Sequence, residues 1–228
     1  MQRRIIAIDE SGALFDPEKR FMIVVSNVSY DMSDLRRKNL GPKRRGAYRL
    51  THTVGDFLYL ALYPKMVEQT KRMYGEPETA AEISLNGSYY EFMLRKDAAV
   101  KLLEAHNFNP VYDVAVIDSF CKPKMLSELI ADTWRRVHNV DVPKNTVRCE
   151  HGADMLYRPV RIADENALRL VDRWTHDDYN GDDSRHESRM VEFTIGDVAR
   201  LNLNRHERRE MKEFLGTCEW PTASPATA

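Results

Sequence analysis

Apolar residues along the chain alternate between short continuous runs and helical spacing, and this alternation predicts an α/β fold. Runs rich in Ile, Val and Ala predict buried strands at residues 4–8, 21–28 and 112–117, with a final strand at 146–149. Helical spacing predicts helices at residues 46–62, 66–74, 89–106, 125–138, 162–174 and 205–215. The first two strands are close enough in sequence to pair as a hairpin.

The composition is that of a globular chain, with 43% apolar and 30% charged residues among 228. The formal net charge is −1, so any attraction to nucleic acid has to come from a local patch. The three cysteines lack the paired spacing of a zinc site or a disulfide framework, which favours a reducing compartment. No apolar stretch approaches the length of a membrane span. We therefore predict a cytoplasmic protein with no membrane partner; the sequence does not indicate an oligomeric state.

One segment, residues 35–50, is strongly basic and contains no acidic residue. The candidate nucleic-acid contacts within it are Arg36, Arg37, Lys38, Lys43, Arg44 and Arg45. Such a cluster can neutralise phosphates beside an active site. The alternative interpretation is a solvated charged loop.

Acidic residues follow the predicted strands and accompany a late helix. Asp9 and Glu10 come directly after the first strand, on a predicted turn with Gly12, and Asp118 follows the strand at 112–117. The later candidates are Asp154, in a polar turn, and Asp164, which together with Glu165 opens the predicted helix at 162–174. Carboxyl ends of buried strands are where α/β sheets bind ligands.

Adjacent carboxylates disfavour each other's ionisation unless a cation lies between them, and their hard oxygen ligands suit Mg²⁺ or Mn²⁺. Two other interpretations stay open. Asp9 and Glu10 are also typical turn residues, and acids that open a helix are stabilised by its dipole.

The order of these motifs resembles the ribonuclease H-like superfamily. Ribonuclease HII is similar in four places, namely Asp9-Glu10, Lys38-Asn39-Leu40 with the basic run 42–45, Val116-Ile117-Asp118-Ser119, and Gly152-Ala153-Asp154 with Tyr157. An uncharacterised branch, a domain of unknown function, is similar at Asp9-Glu10-Ser11-Gly12 and Arg161-Ile162-Ala163-Asp164. The chain departs from ribonuclease HII at Ser11-Gly12-Ala13-Leu14, where that family has Ala-Gly-Arg-Gly, and at Leu168, where it has Lys.

The resemblance implies a ribonuclease H-like mixed sheet flanked by helices over residues 1–174. A loop and helical C-terminal extension would follow at 175–220, and a disordered tail at 221–228. It also implies a nuclease that uses two Mg²⁺ or Mn²⁺ ions to hydrolyse phosphodiester bonds, most nearly in the RNA strand of an RNA/DNA hybrid or another RNA-containing duplex. The implied ligands are Asp9, Glu10, Asp118, and Asp154 or Asp164.

Two other functions remain open at this stage: a catalytically degenerate nucleic-acid-binding or scaffold protein on the same fold, and a hydrolase of small phosphate esters. Three minor interpretations accompany them. His151 is either a proton-transfer group or an exposed turn residue. Glu82 is a lower-ranked ligand. Residues 175–189 are rich in His and Asp, but they lack calcium-loop spacing and are interpreted as a solvated loop.

Overall fold

The computed structural model describes residues 3–14, 21–40, 56–74, 89–119, 122–175 and 188–202, which form a six-stranded mixed sheet with helices on both faces. This confirms the α/β prediction. The strands are β1 (Ile5–Ala13), β2 (Phe21–Ser29), β3 (Phe57–Leu62), β4 (Val114–Asp118), β5 (Val147–Glu150) and β6 (Ser188–Met190). Their order across the sheet is β5-β4-β1-β2-β3-β6.

Strand β1 lies at the centre and has two different neighbours. It pairs antiparallel with β2 along its whole length, from Ile5 to Ala13. Its parallel pairing with β4 covers only Ile5 to Ile8, opposite residues 114–117. The predicted turn at Asp9 and Glu10 is therefore wrong, because the strand continues through both residues. Asp9 instead marks the point where the parallel pairing ends.

The helices are α1 (Pro64–Tyr74), α2 (Tyr89–Ala105), α3 (Pro123–His138), α4 (Ala153–Leu156), α5 (Arg158–Thr175) and α6 (Ile195–Asn202), with a 3-10 turn at Met32–Leu35. Helix α3 begins with proline, whose missing N–H is not needed there, and is capped at its end by Asn139 in the left-handed conformation. Within the described ranges, no helix is both long and apolar enough to cross a bilayer.

The sheet is covered on both faces. The first face, defined by Ile6 and Ile8 of β1, is buried under α1, α2, α3 and α6. The second face, defined by Ile5 and Ala7, is buried under α4 and α5. Because side chains alternate along a strand, Asp9 belongs to the second face and Glu10 to the first.

Two predicted helices need correction. Residues 57–62, predicted as the end of a helix, form β3 between β2 and β6. Helix α5 begins at Arg158 and not at residue 162, so Asp164 is its seventh residue and does not open it. Stabilisation by the helix dipole, which acts on the first turn, therefore does not explain Asp164.

Several predictions lie outside the described residues. They concern Lys43, Arg44, Arg45, Glu82, most of the loop at 175–189, the helix at 205–215 and the tail at 221–228.

Candidate metal and nucleic-acid site

Strand register brings the first two carboxylates side by side. Ile8 pairs with Ile117 in the parallel ladder, so Asp9 and Asp118 follow at neighbouring positions of β1 and β4. Both side chains belong to the second face, because side chains two positions apart on a strand share a face. Asp9 follows Ile5 and Ala7 in this way on β1, and Asp118 follows residues 114 and 116 on β4. Asp9 is buried, with 5% of its surface exposed, and Asp118 is partly buried.

The covering helices supply two more carboxylates. Gly152 adopts the left-handed conformation, with φ of 64°, and leads the chain from β5 directly into α4, whose second residue is Asp154. Asp164 lies on α5 next to Ala163, which packs against the second face of the sheet. Asp154 and Asp164 are buried, at 8% and 7% exposure.

Charge repulsion connects these four carboxylates. Burial raises the pKa of Asp9 well above its usual range, and Asp118, Glu10 and Asp164 raise it further. The pKa of Asp118 is also raised, first by burial and then by Asp154, while the backbone N–H groups of residues 119, 152 and 153 oppose the shift. Four elements thus bring four acidic side chains into one buried region, which we call the carboxylate site: Asp9, Asp118, Asp154 and Asp164.

One oxygen of Asp9 lacks a partner among the residues that the structure describes. Oδ1 accepts a hydrogen bond from the N–H of Glu10 at 2.7 Å. Oδ2 is buried, and among the described residues it has no hydrogen-bond partner. Leaving a buried acceptor unsatisfied costs about 1–3 kcal/mol, so this oxygen suits a bound cation.

Glu10 is held on the opposite face of the sheet. Arg95 of α2 forms an ion pair with it, Nη1 to Oε1 at 2.8 Å, and a second ion pair with Glu91. Burial raises the pKa of Glu10 to about 7 although Arg95 opposes the shift. Glu10 still interacts electrostatically with Asp9 and Asp118, but its carboxylate is engaged by Arg95.

The donor chemistry of the carboxylate site fits a hard divalent cation, because carboxylate oxygens are the ligands that Mg²⁺ and Mn²⁺ prefer. In the present side-chain positions, no three His, Cys, Asp or Glu residues of the described segments converge closely enough to hold a metal ion. Asp118 Oδ1 accepts the N–H groups of Ser119 at 2.8 Å and Ala153 at 3.1 Å.

The described start of the basic segment lies beside this site. The N–H of Lys38 donates to the carbonyl of Leu156 at 2.9 Å, and that of Leu40 donates to Met155 at 3.0 Å. Arg161 of α5 donates to the carbonyl of Leu40 at 3.1 Å. These bonds place residues 38–40 along α4, the helix that carries Asp154, and the side chain of Arg37 donates to the Tyr157 hydroxyl directly after that helix.

The sequence interpretation did not identify Arg95, Glu91 or Glu150 as part of this region. Glu150 is the last residue of β5, as Asp118 is the last residue of β4. This repeated carboxylate at a strand end is the sequence signal that could have identified Glu150. Its carboxylate accepts the Tyr157 hydroxyl at 2.7 Å and pairs with Arg37 at 2.5 Å. The pairing of Arg95 with Glu10 joins residues 85 positions apart and had no local signal.

His151 has a defined contact. Its Nδ1 and the carbonyl of Ser119 are 2.6 Å apart, so this nitrogen donates a hydrogen bond to the loop that follows Asp118. The ring is otherwise exposed.

Comparison of this chain with known proteins finds little similarity. No protein-family model matches the chain, and no curated protein matches it. Among solved structures, the crystal structure of a mutant protein of Bst-RNase HIII is similar, with a TM-score of 0.37 and 16% sequence identity. The match covers 77% of this chain and 55% of that chain, so the chain spans about half the length of its solved neighbour.

Proposed function

We propose that this chain is a nuclease that hydrolyses phosphodiester bonds with the help of divalent metal ions, and that the carboxylate site is its reaction centre. The observation that supports this most is the grouping of three buried carboxylates, Asp9, Asp154 and Asp164, with the partly buried Asp118, from four different elements. Mutually repelling buried acids destabilise a fold unless a cation compensates them. Binding of a metal cation is the simplest reason for keeping them.

Each residue has a role in this proposal. Asp9 and Asp118 hold Mg²⁺ or Mn²⁺, and Asp154 and Asp164 complete the ligand set. When bound, two such ions supply an activated water and charge stabilisation at the leaving oxygen. The N–H groups of Ser119 and Ala153 orient the carboxylate of Asp118. Glu10 would join the ligands only if its ion pair with Arg95 opened and the end of β1 turned its side chain to the second face.

The substrate proposed is the RNA strand of an RNA/DNA hybrid or another RNA-containing duplex. A polymeric anion is supported by Lys38, which bonds to α4, and by Arg36 and Arg37, which directly precede it in the chain, because basic side chains beside a hydrolytic centre position phosphates. Lys43, Arg44 and Arg45 continue this segment in the sequence and are proposed to take part.

The test is cleavage of labelled RNA/DNA hybrid, double-stranded RNA, single strands and duplex DNA, with Mg²⁺ or Mn²⁺. We expect cleavage of the hybrid by the wild type, loss of that cleavage in Asp9→Asn, and full activity in Asp132→Asn. Asp132 is the matched control because it is an exposed carboxylate on α3. Activity retained in Asp9→Asn would contradict the assignment, and cleavage of a different polymer would change the substrate only.

A second function is favoured by a specific observation. The ion pair between Glu10 and Arg95, together with the lack of convergence among the described acidic side chains, also suits a catalytically degenerate protein that binds nucleic acid. Calorimetric titration with Mn²⁺ separates the two functions. Heat of binding that disappears in Asp9→Asn supports the nuclease, whereas oligonucleotide binding without Mn²⁺ binding supports the degenerate protein.

A further inference from the structure

We propose that a groove along the outer edge of β5 binds the phosphate backbone of a single nucleic-acid strand. Within the described residues β5 pairs only with β4, and no described strand pairs with its other edge. A cavity of about 520 Å³ follows that edge, and we call it the edge groove. Its polar lining consists of Arg37, Ser127, Asn145, Arg148, Glu150 and Tyr157.

The charges of the edge groove favour an anion. The lining contains two arginines and one carboxylate, so its formal charge is positive. Glu150 pairs with Arg37 and accepts the Tyr157 hydroxyl, which leaves Arg148 as the positive charge in excess. The side chain of Arg37 is 65% exposed, so its guanidinium can contact a ligand while it is paired with Glu150. Arg148 is held at the rim because its Nε donates to the carbonyl of Asn145 at 3.0 Å. Guanidinium groups bind phosphate oxygens with two parallel hydrogen bonds.

The edge groove lies next to the carboxylate site. Glu150 pairs with Asp118 across β5 and β4, and the N–H of Ser119 donates to the carbonyl of Glu150 at 3.0 Å. Neighbouring strands are about 4.8 Å apart. A strand with one phosphate in the edge groove would therefore continue directly past Asp118, and in this respect the inference rests on the proposed function.

A nucleic-acid strand suits the edge groove better than a peptide added to the sheet. Added peptide strands derive their specificity from pockets for alternate side chains. Here the polar lining is two arginines, two hydroxyls, an amide and one carboxylate, and the arginines, hydroxyls and amide are donors for phosphate oxygens. The apolar part of the lining is limited to Leu35, Val147 and Cys149.

The experiment measures binding of a fluorescein-labelled single-stranded oligonucleotide by fluorescence anisotropy, in EDTA, over a series of salt concentrations. The variant is Arg37→Ala with Arg148→Ala, and the matched control is Arg72→Ala, an exposed arginine on α1. We expect the double variant to weaken binding about tenfold per arginine and to reduce the salt slope by about one for each lost phosphate contact. Arg72→Ala should bind like the wild type.

Two further variants exclude a merely structural effect. Arg37→Lys with Arg148→Lys keeps both charges and should restore the salt slope. Glu150→Gln removes the negative charge of the edge groove and should tighten binding. Unchanged affinity and slope in the alanine double variant would overturn the inference, as would absence of binding by the wild type.

Failure of this inference can be distinguished from failure of the proposed nuclease. Metal-dependent cleavage that needs Asp9 but not Arg37 and Arg148 would support the proposed nuclease and contradict the inference about the edge groove. Binding that depends on both arginines, without cleavage of any polymer, would support the inference about the edge groove and contradict the proposed nuclease.

Discussion

At the scale of single residues, Asp9 combines burial, repulsion by neighbouring acids and an oxygen without a partner among the described residues. We predict that Asp9→Asn stabilises the metal-free protein at neutral pH by about 1 kcal/mol, because the neutral amide removes the repulsion and keeps the acceptor for the N–H of Glu10. Urea unfolding in EDTA measures this change.

Added Mn²⁺ provides the control for Asp9. Ligands that bind only the folded state raise its stability, so Mn²⁺ should stabilise the wild type and leave Asp9→Asn unchanged. An Asn variant that is less stable in EDTA, or equally stabilised by Mn²⁺, would contradict the role given to Asp9.

His106 makes the protein sensitive to acid. Burial, followed by the charge of Arg4, lowers its pKa from 6.5 to about 4, and its Nε2 shares a hydrogen bond with Ser26 Oγ at 2.8 Å. The folded protein keeps the ring neutral while the unfolded chain takes up a proton below its pKa of 6.5. Stability is therefore complete above that pH and falls on acidification towards the folded pKa, by at most about 1.4 kcal/mol per pH unit.

The measurement is the free energy of unfolding against pH for the wild type and His106→Gln. Asp97 has a pKa raised to about 6, so its effect on stability opposes that of His106 in the same pH range. Both proteins contain Asp97, so the difference between their curves isolates His106. We expect the difference to change between pH 6.5 and about 4. Two parallel curves would show that His106 does not titrate as described.

At the scale of elements, the β1–β2 hairpin depends on Gly12. This residue has φ of 99°, and a Cβ added there would lie 2.6 Å from the carbonyl oxygen of Phe21. We predict that Gly12→Ala destabilises the protein by about 1–3 kcal/mol, because it adds both backbone strain and a clash with β2. Thermal unfolding measures this, with Gly196→Ala in helix α6 as the control.

Gly196 is a suitable control because its added Cβ would meet only Thr194 Oγ1, at 3.3 Å, and its backbone is helical. Alanine is favoured over glycine in a helix, so this variant should be neutral or more stable. Equal stability of the two alanine variants would mean that the strain at Gly12 is relieved elsewhere.

The elements also show which sequence signals were sufficient. Strands β1, β2 and β4 and helices α2 and α3 were predicted because their patterns are strong and bounded by turn residues. Strand β3 was wrongly predicted as a helix because its sequence, Phe-Leu-Tyr-Leu-Ala-Leu, is apolar at every position. A strand covered on both faces has no alternation, so periodicity does not distinguish it from a buried helix.

The acidic candidates were found in sequence because each was predicted at a strand end, in a turn or at a helix start, but their arrangement depends on tertiary structure. Asp9 and Asp118 meet through strand register, and Asp164 reaches them because α5 packs across the second face of the sheet. The separation of Glu10 from these residues follows from the continuation of β1, which was not predicted. Adjacent residues on a strand point to opposite faces, whereas adjacent residues on a turn need not.

At the scale of the whole molecule, the last described segment packs against elements that precede it by more than 90 residues. Strand β6 pairs in parallel with β3, and α6 buries Ile195, Val198 and Leu201 in the first-face core. Asn202 at the end of α6 accepts from the buried Lys96 at 2.5 Å and donates to Asp97 at 2.6 Å. The domain boundary at residue 174 stays a prediction, and these contacts lead us to propose that the extension is required for stability.

We predict that a chain ending at residue 175 is much less stable than a chain ending at residue 202. Burial of each large aliphatic side chain contributes about 1.5–3 kcal/mol, and the shorter chain loses the three from α6. The truncation also removes Asn202, so the buried pair of Lys96 and Asp97 loses one hydrogen-bond partner for each of its two charged groups. Calorimetry of both chains measures the effect, and the longer chain controls for removal of residues 203–228. If the shorter chain unfolds cooperatively at the same temperature as the longer one, residues 1–174 fold as an independent domain and the extension is dispensable.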